Sequence, residues 1–292
     1  IYLRNHDYAN AKTYIDMVLN SGQYELESDF KYVWSENNKY GKEMIFALLH
    51  ETGNNAAEIA CHFGPSDHPE VPGRWQYYGV SLPFWRSYDK EDPRREFFYY
   101  DYTGDAKRDD QSDYGFHYMV PEEGVTVVPN DTTKYMQNVA TMKYTYDMIS
   151  DAYYDGRTIC IFRLSDVILC KAEIENNLNG PAAALPYLNQ IRARAGAPEY
   201  GKHNRFPAPS TKEAMNDAIL KERGYELVFE FQRRADLIRF GKYEEVVNAH
   251  LKKLGIAQPT NVTSSLRYFP YPLNDAQLNP NLAAENPSRL PK

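Results

Sequence analysis

The chain has 292 residues, long enough for one large domain or two small ones and for a substantial buried core. Its 40 acidic against 33 basic side chains leave a formal charge of −7, the wrong sign for a nucleic-acid partner, which needs a basic stripe. Its 7 scattered histidines form no H-E-x-x-H pattern and its 3 cysteines no C-x-x-C pair, so neither a metal nor another cofactor is expected, and no apolar run of about 18 residues is present to span a membrane.

The opening stretch, Ile1 to Ala11, reads as the middle of a tetratricopeptide-type helical hairpin entered at its turn, so the sequence is expected to be the C-terminal part of a longer protein. Tyr8, Ala11, Ile15, Val18 and Leu19 recur at helical spacing, and Gly22 follows as a stop. This predicts a helix packed on a partner outside the sequence. Met44 to Leu49 is a short apolar run whose length favours a strand.

From Glu51 to Tyr102 the composition turns to Gly, Pro, Asn and aromatics, which predicts a long excursion rather than regular elements. Long loops on a rigid scaffold are where binding sites concentrate, so this is the candidate ligand region. The candidate binding residues are Asn54, Asn55, Arg74, Trp75, Tyr77 and Tyr78. A flat ring covers the apolar face of a sugar while Asn and Arg side chains fix its hydroxyls. The competing reading makes the rings a satellite core that holds the loop together. Leu82-Pro83-Phe84-Trp85 reads as packing. Phe97 to Tyr102 is a strand-like aromatic run, and Asp105 to Asp113 a solvated polar loop without the spacing or central glycine of a calcium loop.

The segment Cys160 to Gly241 organises the rest. A helical pattern begins at Phe162-Arg163-Leu164, and Gly180-Pro181 closes it and opens the next helix, with Leu185, Leu188, Ile191 and Ala195 as the buried stripe. Pro186 inside that stripe predicts a late start or a first-turn kink. Ser210-Thr211-Lys212-Glu213 is a capping box for a third helix, expected to run through Glu222, Glu226 and Glu230 and to place them on one stripe. Beyond Gly241 an irregular chain is expected, ending in an extended Pro-rich tail.

Charges on apolar faces need partners, because an unpaired ion out of water costs several kcal/mol. Arg163, Arg192, Arg194, Arg233, Arg234 and Arg239 are the available cations, and the preferred reading is an ion-pair lattice that fixes how the helices cross. The rival reading is a glycosidase-like carboxylate pair, which needs one acid held protonated. Nearby arginines favour ionised carboxylates and disfavour that role. Cys61, Cys160 and Cys170 read as small buried apolar groups.

Four motifs in order, Arg163 to Glu173, Leu188 to Gly196, Glu222 to Gly241, and Tyr268-Phe269-Pro270-Tyr271-Pro272 followed by Leu278-Asn279-Pro280-Asn281, resemble the SusD/RagB family. Asp166, Cys170 and the Gln232 to Ala235 run depart from its usual pattern, at positions that affect packing. Asp89 to Arg95 is similar to the family's structural Asp-x-Arg turn. The resemblance implies a mainly α fold, a tetratricopeptide-like helical hairpin scaffold with long irregular loops and a few short strands. The layout expected on it is a single domain with the end of a helical repeat at 1–22, a ligand-facing excursion at 23–135, a helical core at 136–245 and an extended tail at 246–292. It also implies a non-enzymatic oligosaccharide-binding lipoprotein on the outer membrane, held by an N-terminal lipid anchor upstream of this sequence and serving a TonB-dependent SusC-like transporter. The alternatives are a RagB-like peptide-uptake protein, a tetratricopeptide adaptor and an all-α glycoside hydrolase.

Overall fold

A computed structural model describes residues 1–53, 59–65, 67–71, 75–105, 115–124, 132–147, 156–255, 262–279 and 281–282. Residues 1–231 form one compact unit and 232–292 a second.

In the first unit, helix α1 (Tyr8–Asn20) is capped by Asp7, whose carboxylate accepts from the Asn10 backbone N–H at 3.2 Å, and is followed by Gly22 at φ 67°. The Met44–Leu48 run is indeed a strand, β1. The excursion that follows is less irregular than its composition predicts. It carries α2 (Ile59–Phe63), β2 (Val80–Ser81), α3 (Leu82–Arg86), β3 (Phe98–Tyr99), β4 (Asp101–Thr103), β5 (His117–Met119), β6 (Thr133–Tyr135) and β7 (Asn138–Thr141). Each strand is only two to four residues long, so two or three residue pairs are all that any two neighbours share. Strands β2, β7 and β3 form one antiparallel sheet, and β4, β5 and β6 another in which β5 and β6 are parallel. The aromatic side chains supply the core: Phe30, Trp34, Phe63, Phe97 and Tyr144 pack in one cluster, and Trp85, Tyr88, Phe98 and Tyr225 in another.

The expected helix start at Phe162 is corrected. Ile159–Arg163 is strand β8, paired antiparallel with β1 so that Phe46 faces Phe162, and α4 occupies Leu164–Asn179. The β-branched and aromatic residues Ile159, Ile161 and Phe162 suit a pleated ribbon better than a first helical turn. After Gly180, helix α5 (Pro181–Arg194) folds back to make the hairpin, with Ala184, Leu188 and Ile191 fully buried. Pro186 neither delays nor ends α5; it and Ala182, whose carbonyl loses its i+4 donor, both lie on the exposed side where water can serve instead. The α1 helix packs on α4, with Lys171 Nζ 2.5 Å from Asp16 Oδ1.

Helix α6 (Lys212–Glu226) starts at Thr211, whose hydroxyl accepts from Ala214 N–H at 3.1 Å. It stops at Glu226, short of the predicted end, and Phe229 at φ 61° turns the chain. Glu230 therefore joins Glu222 and Glu226 from a turn rather than from the same helical stripe.

The carboxylates converge on three of the six anticipated cations, Arg163, Arg192 and Arg194. Arg163 Nη1 donates to Glu43 Oε1 at 2.5 Å and Glu226 Oε1 at 2.7 Å, while its Nε donates to Glu230 Oε2 at 2.7 Å. Arg194 reaches Glu43 at 2.6 Å and also holds Glu226, and Arg192 holds Glu222 at 2.8 Å. The structure adds partners that the helical pattern did not name. Arg94, forked on Asp92 at 2.7 and 3.0 Å, reaches Glu222 at 2.6 Å and Glu226 at 3.0 Å, and Lys143 donates to Glu230 at 2.6 Å. Five carboxylates (Glu43, Asp92, Glu222, Glu226, Glu230) thus meet five cations (Arg94, Lys143, Arg163, Arg192, Arg194), all with side chains at most 5% exposed. Burial alone would raise the Glu226 pKa, but Arg194, Arg163 and Arg94 outweigh it and hold the carboxyl far below the usual range. Burial lowers the Lys143 pKa to about 8 against the pull of Glu230.

The second unit corrects the tail. Helix α7 (Arg233–Arg239) precedes Gly241, and beyond that residue, where an irregular chain was expected, lie α8 (Tyr243–Lys253) and α9 (Leu273–Leu278). Glu244 and Glu245 in the first turn of α8 and His250, Lys252 and Lys253 in its last complement the helix dipole, and Pro272 immediately precedes α9 with a fixed φ. Arg233, Arg234 and Arg239 belong to this unit, where Arg239 pairs with Asp236 at 3.0 Å and Arg234 donates to the Leu266 carbonyl at 2.8 Å.

Removing Arg163 leaves the five buried carboxylates with four cations, Arg194, Arg94 and Lys143 remaining on Glu43, Glu226 and Glu230. Arg163→Met is expected to cost about 3–5 kcal/mol in urea denaturation at neutral pH; a loss under about 1 kcal/mol, the size of a surface pair, would contradict the lattice. The depressed Glu226 pKa fixes the sign of the pH effect: its contribution is fully present above the unfolded-state value of about 4.3 and is lost as pH falls below it. Denaturation midpoints measured from neutral to pH 2 are therefore expected to fall steeply below about pH 4.3, and a flat profile there would contradict the assignment.

Candidate functional site

Helix α2 has only five residues, so most of its carbonyls lack intrahelical donors. The loop 75–78 supplies them: Trp75 N–H donates to the Cys61 carbonyl at 2.7 Å and Tyr78 N–H to the His62 carbonyl at 3.1 Å. Between them Gln76 adopts a left-handed φ of 50°, an uncommon conformation for a residue with a Cβ and one that concentrates at functional sites. The chain is thereby bent so that three rings gather on one histidine. His62 lies 5.0 Å from the Trp75 ring, 5.5 Å from Tyr77 and 6.2 Å from Tyr78, centroid to centroid, and Trp75 and Tyr77 are 5.5 Å apart.

The rings face solvent on one side and the core on the other. Trp75, Tyr77 and Tyr78 are 38%, 66% and 54% exposed. Behind them Tyr78 packs on Phe63 at 5.2 Å, and Phe63 on Tyr144 and Phe229 at 4.8 and 5.0 Å. An exposed aromatic patch backed by a packed core is a candidate interaction surface, since large rings left in water lose the burial that would stabilise them. Among the described residues the buried Nδ1 of His62 has no hydrogen-bond partner. Of the six residues predicted for binding, the structure brings Trp75, Tyr77 and Tyr78 together; Arg74, Asn54 and Asn55 lie outside the described residues, as does the Ala106 to Asp113 part of the polar loop.

His62 and Phe63 were missed by sequence reasoning. Nothing local marks a lone histidine as the hub of rings more than a dozen positions away. Trp85 was correctly read as packing: it is 6% exposed, and its Nε1–H donates to the Arg95 carbonyl at 3.2 Å. Among the described residues no group of three His, Cys, Asp or Glu side chains is placed to hold a metal ion, and no helix is long and apolar enough to cross a membrane. Glu226 and Glu230, the rival catalytic pair, line no open cleft; they are 0% and 3% exposed and ringed by guanidinium groups and the Lys143 ammonium.

The SusD family profile matches residues 42–288. The chain belongs to the SusD family. It is 39% identical to SusD-like protein P25 of Formosa agariphila over 41% of this chain and 22% of that protein. It is 28% identical to the starch-binding protein SusD of Bacteroides thetaiotaomicron over 46% of this chain and 22% of that one. Its fold is similar to that of surface glycan-binding protein A from Bacteroides thetaiotaomicron in complex with laminarihexaose, with a TM-score of 0.65 and 20% identity over 95% of this chain and 59% of the other. Of the full-span matches, SusD-like protein P38 of the same Formosa species is covered over 51% of its length, so this SusD-family chain spans about half the length of such relatives.

The exposure pattern separates Trp75 from Trp85 in a SusD-family scaffold. Trp75→Ala is expected to change stability by less than about 0.5 kcal/mol, whereas Trp85→Ala is expected to cost about 3–5 kcal/mol. Chemical denaturation of both variants checks this; equal losses would make the Trp75 cluster part of the core.

Proposed function

We propose that the protein captures oligosaccharide at the cell surface on the ring platform of Trp75, Tyr77 and Tyr78 over His62, without cleaving it. The observation that carries the reading is that platform: three half-exposed to exposed rings, pinned to α2 by backbone hydrogen bonds, in a chain whose Glu222, Glu226 and Glu230 carboxylates are committed elsewhere. Rings held in place before binding lose little conformational freedom on meeting a ligand, which is the way rigid sites gain affinity. Membership of the SusD family and a fold shared with a glycan-binding protein support the same reading. On this reading Arg74, Asn54 and Asn55 complete the site as hydroxyl-fixing side chains. On the same reading the protein is a lipoprotein of the outer membrane and passes its ligand to a SusC-like TonB-dependent transporter.

Isothermal titration against a panel of neutral oligosaccharides, laminarihexaose among them, tests the reading. At least one is expected to bind, with affinity reduced about tenfold or more, 1.4 kcal/mol, by Trp75→Ala and by Tyr78→Ala. Binding of peptides and of no saccharide would move the protein to the RagB-like peptide-uptake reading, and indifference to both substitutions would favour an adaptor surface elsewhere.

A further inference from the structure

Arg94 and Arg95 are sequence neighbours in opposite situations. Arg94 is wholly buried and saturated by Asp92, Glu222 and Glu226. Arg95 is half-buried, with its guanidinium 4.1 Å from the centre of the Trp85 ring, and among the described residues it forms no ion pair; its Nε–H is buried with no acceptor. The stack on Trp85, itself fixed by its bond to the Arg95 carbonyl, holds the planar fork in one orientation. A partly desolvated guanidinium without an oxyanion is costly, and its geometry suits a carboxylate or a sulfate.

Beside Arg95 opens a groove of about 410 Å³, inside the range of about 300–1,000 Å³ typical of small-ligand sites. Lys90 and Arg95 line it from the segment after α3, and Glu122 and Glu123 from the segment after β5. None of these four is paired with another, although Arg86 ties the two segments together by donating to the Pro121 carbonyl. The other polar groups are occupied: Asp101 lies 3.2 Å from His117 Nε2, and the Tyr100 hydroxyl donates to Glu96. The vacant groups are therefore two cations, one of them rigid, and two exposed carboxylates. The carboxylates would repel a purely anionic ligand but accept hydrogen bonds from hydroxyls. A molecule with one anionic group and several hydroxyls satisfies both sets.

We propose that this groove is a second saccharide site, which takes an acidic sugar with its uronate carboxylate or sulfate ester on Arg95 and Lys90 and its hydroxyls on Glu122 and Glu123. The proposal rests on the glycan-binding reading above and deepens it by naming the charge class of the ligand. It is tested by isothermal titration of the whole 292-residue chain with a neutral, a uronate-containing and a sulfated hexasaccharide, at low and high salt. At least one acidic hexamer is expected to bind, more weakly at high salt, and to lose about tenfold or more of its affinity in Arg95→Ala. Arg95→Lys, which keeps the charge without the fork, is expected to fall between. Neutral hexamer binding is expected to survive Arg95→Ala and to be lost in Trp75→Ala. Response of the uronate alone identifies a carboxylate ligand and of the sulfated sugar alone a sulfate ligand. Acidic hexamers that do not bind, or that ignore Arg95→Ala while circular dichroism shows the variant folded, overturn this site and leave the ring platform standing. Failure of every hexamer to bind overturns both.

Discussion

The Arg163 guanidinium, enclosed by Glu43, Glu226 and Glu230 with no exposure to solvent, is the interaction on which the arrangement of the first unit depends. It stands where β8 gives way to α4, and its three partners come from the residue before β1, the end of α6 and the turn beyond. Each of those charges would be expensive alone, and only complete mutual pairing makes their burial tolerable. The lattice therefore discriminates between arrangements more than it adds stability: a helix shifted by one turn leaves a desolvated ion behind. Apolar residues in the same places would permit many near-equivalent packings.

The same economy of charge separates structure from function. Lys143, in the lattice, adjoins Tyr144, and Glu230 adjoins Phe229, while the Tyr144 hydroxyl donates to the Phe229 carbonyl at 2.9 Å. Tyr144 and Phe229 are in turn the two rings on which Phe63 packs, and Phe63 backs Tyr78. A continuous run of contacts thus leads from the ion pairs to the exposed rings. The lattice fixes the Tyr144 and Phe229 backing, and the backing holds the platform at one height above the body. Rigidity made from buried charge is spent at the surface as preorganised aromatic area.

Much of this was legible in the sequence and some was not, for physical reasons. The helix hairpin could be read because Gly180-Pro181 allows few other conformations and the apolar spacing on either side is strongly periodic. The pairing of Glu226 with Arg163 and Arg194 followed from the cost of leaving any of them alone. The contributions of Arg94, Glu43 and Lys143 did not, because they arrive from segments 83 to 183 residues away from Glu226 with no periodic signal linking them to it. The start of α4 was misjudged because Phe162 and Arg163 fit both a helical stripe and a strand end, and only the long-range pairing with β1 decides between them. Helix α8 was missed because, polar on average and with no residue fully buried, it offers no continuous apolar run to mark it. At the site, aromatic richness marked Trp75, Tyr77 and Tyr78, whereas His62 emerged only once α2 and the loop were seen to exchange hydrogen bonds.

The most direct measurement of this division of labour is amide hydrogen exchange with and without a saturating oligosaccharide. The account predicts that added protection appears in 59–63 and 75–80, while α4, α5 and α6 keep the slow exchange they have without ligand. Ligand-induced protection centred on Glu222 to Glu230, accompanied by newly released reducing ends, would contradict it.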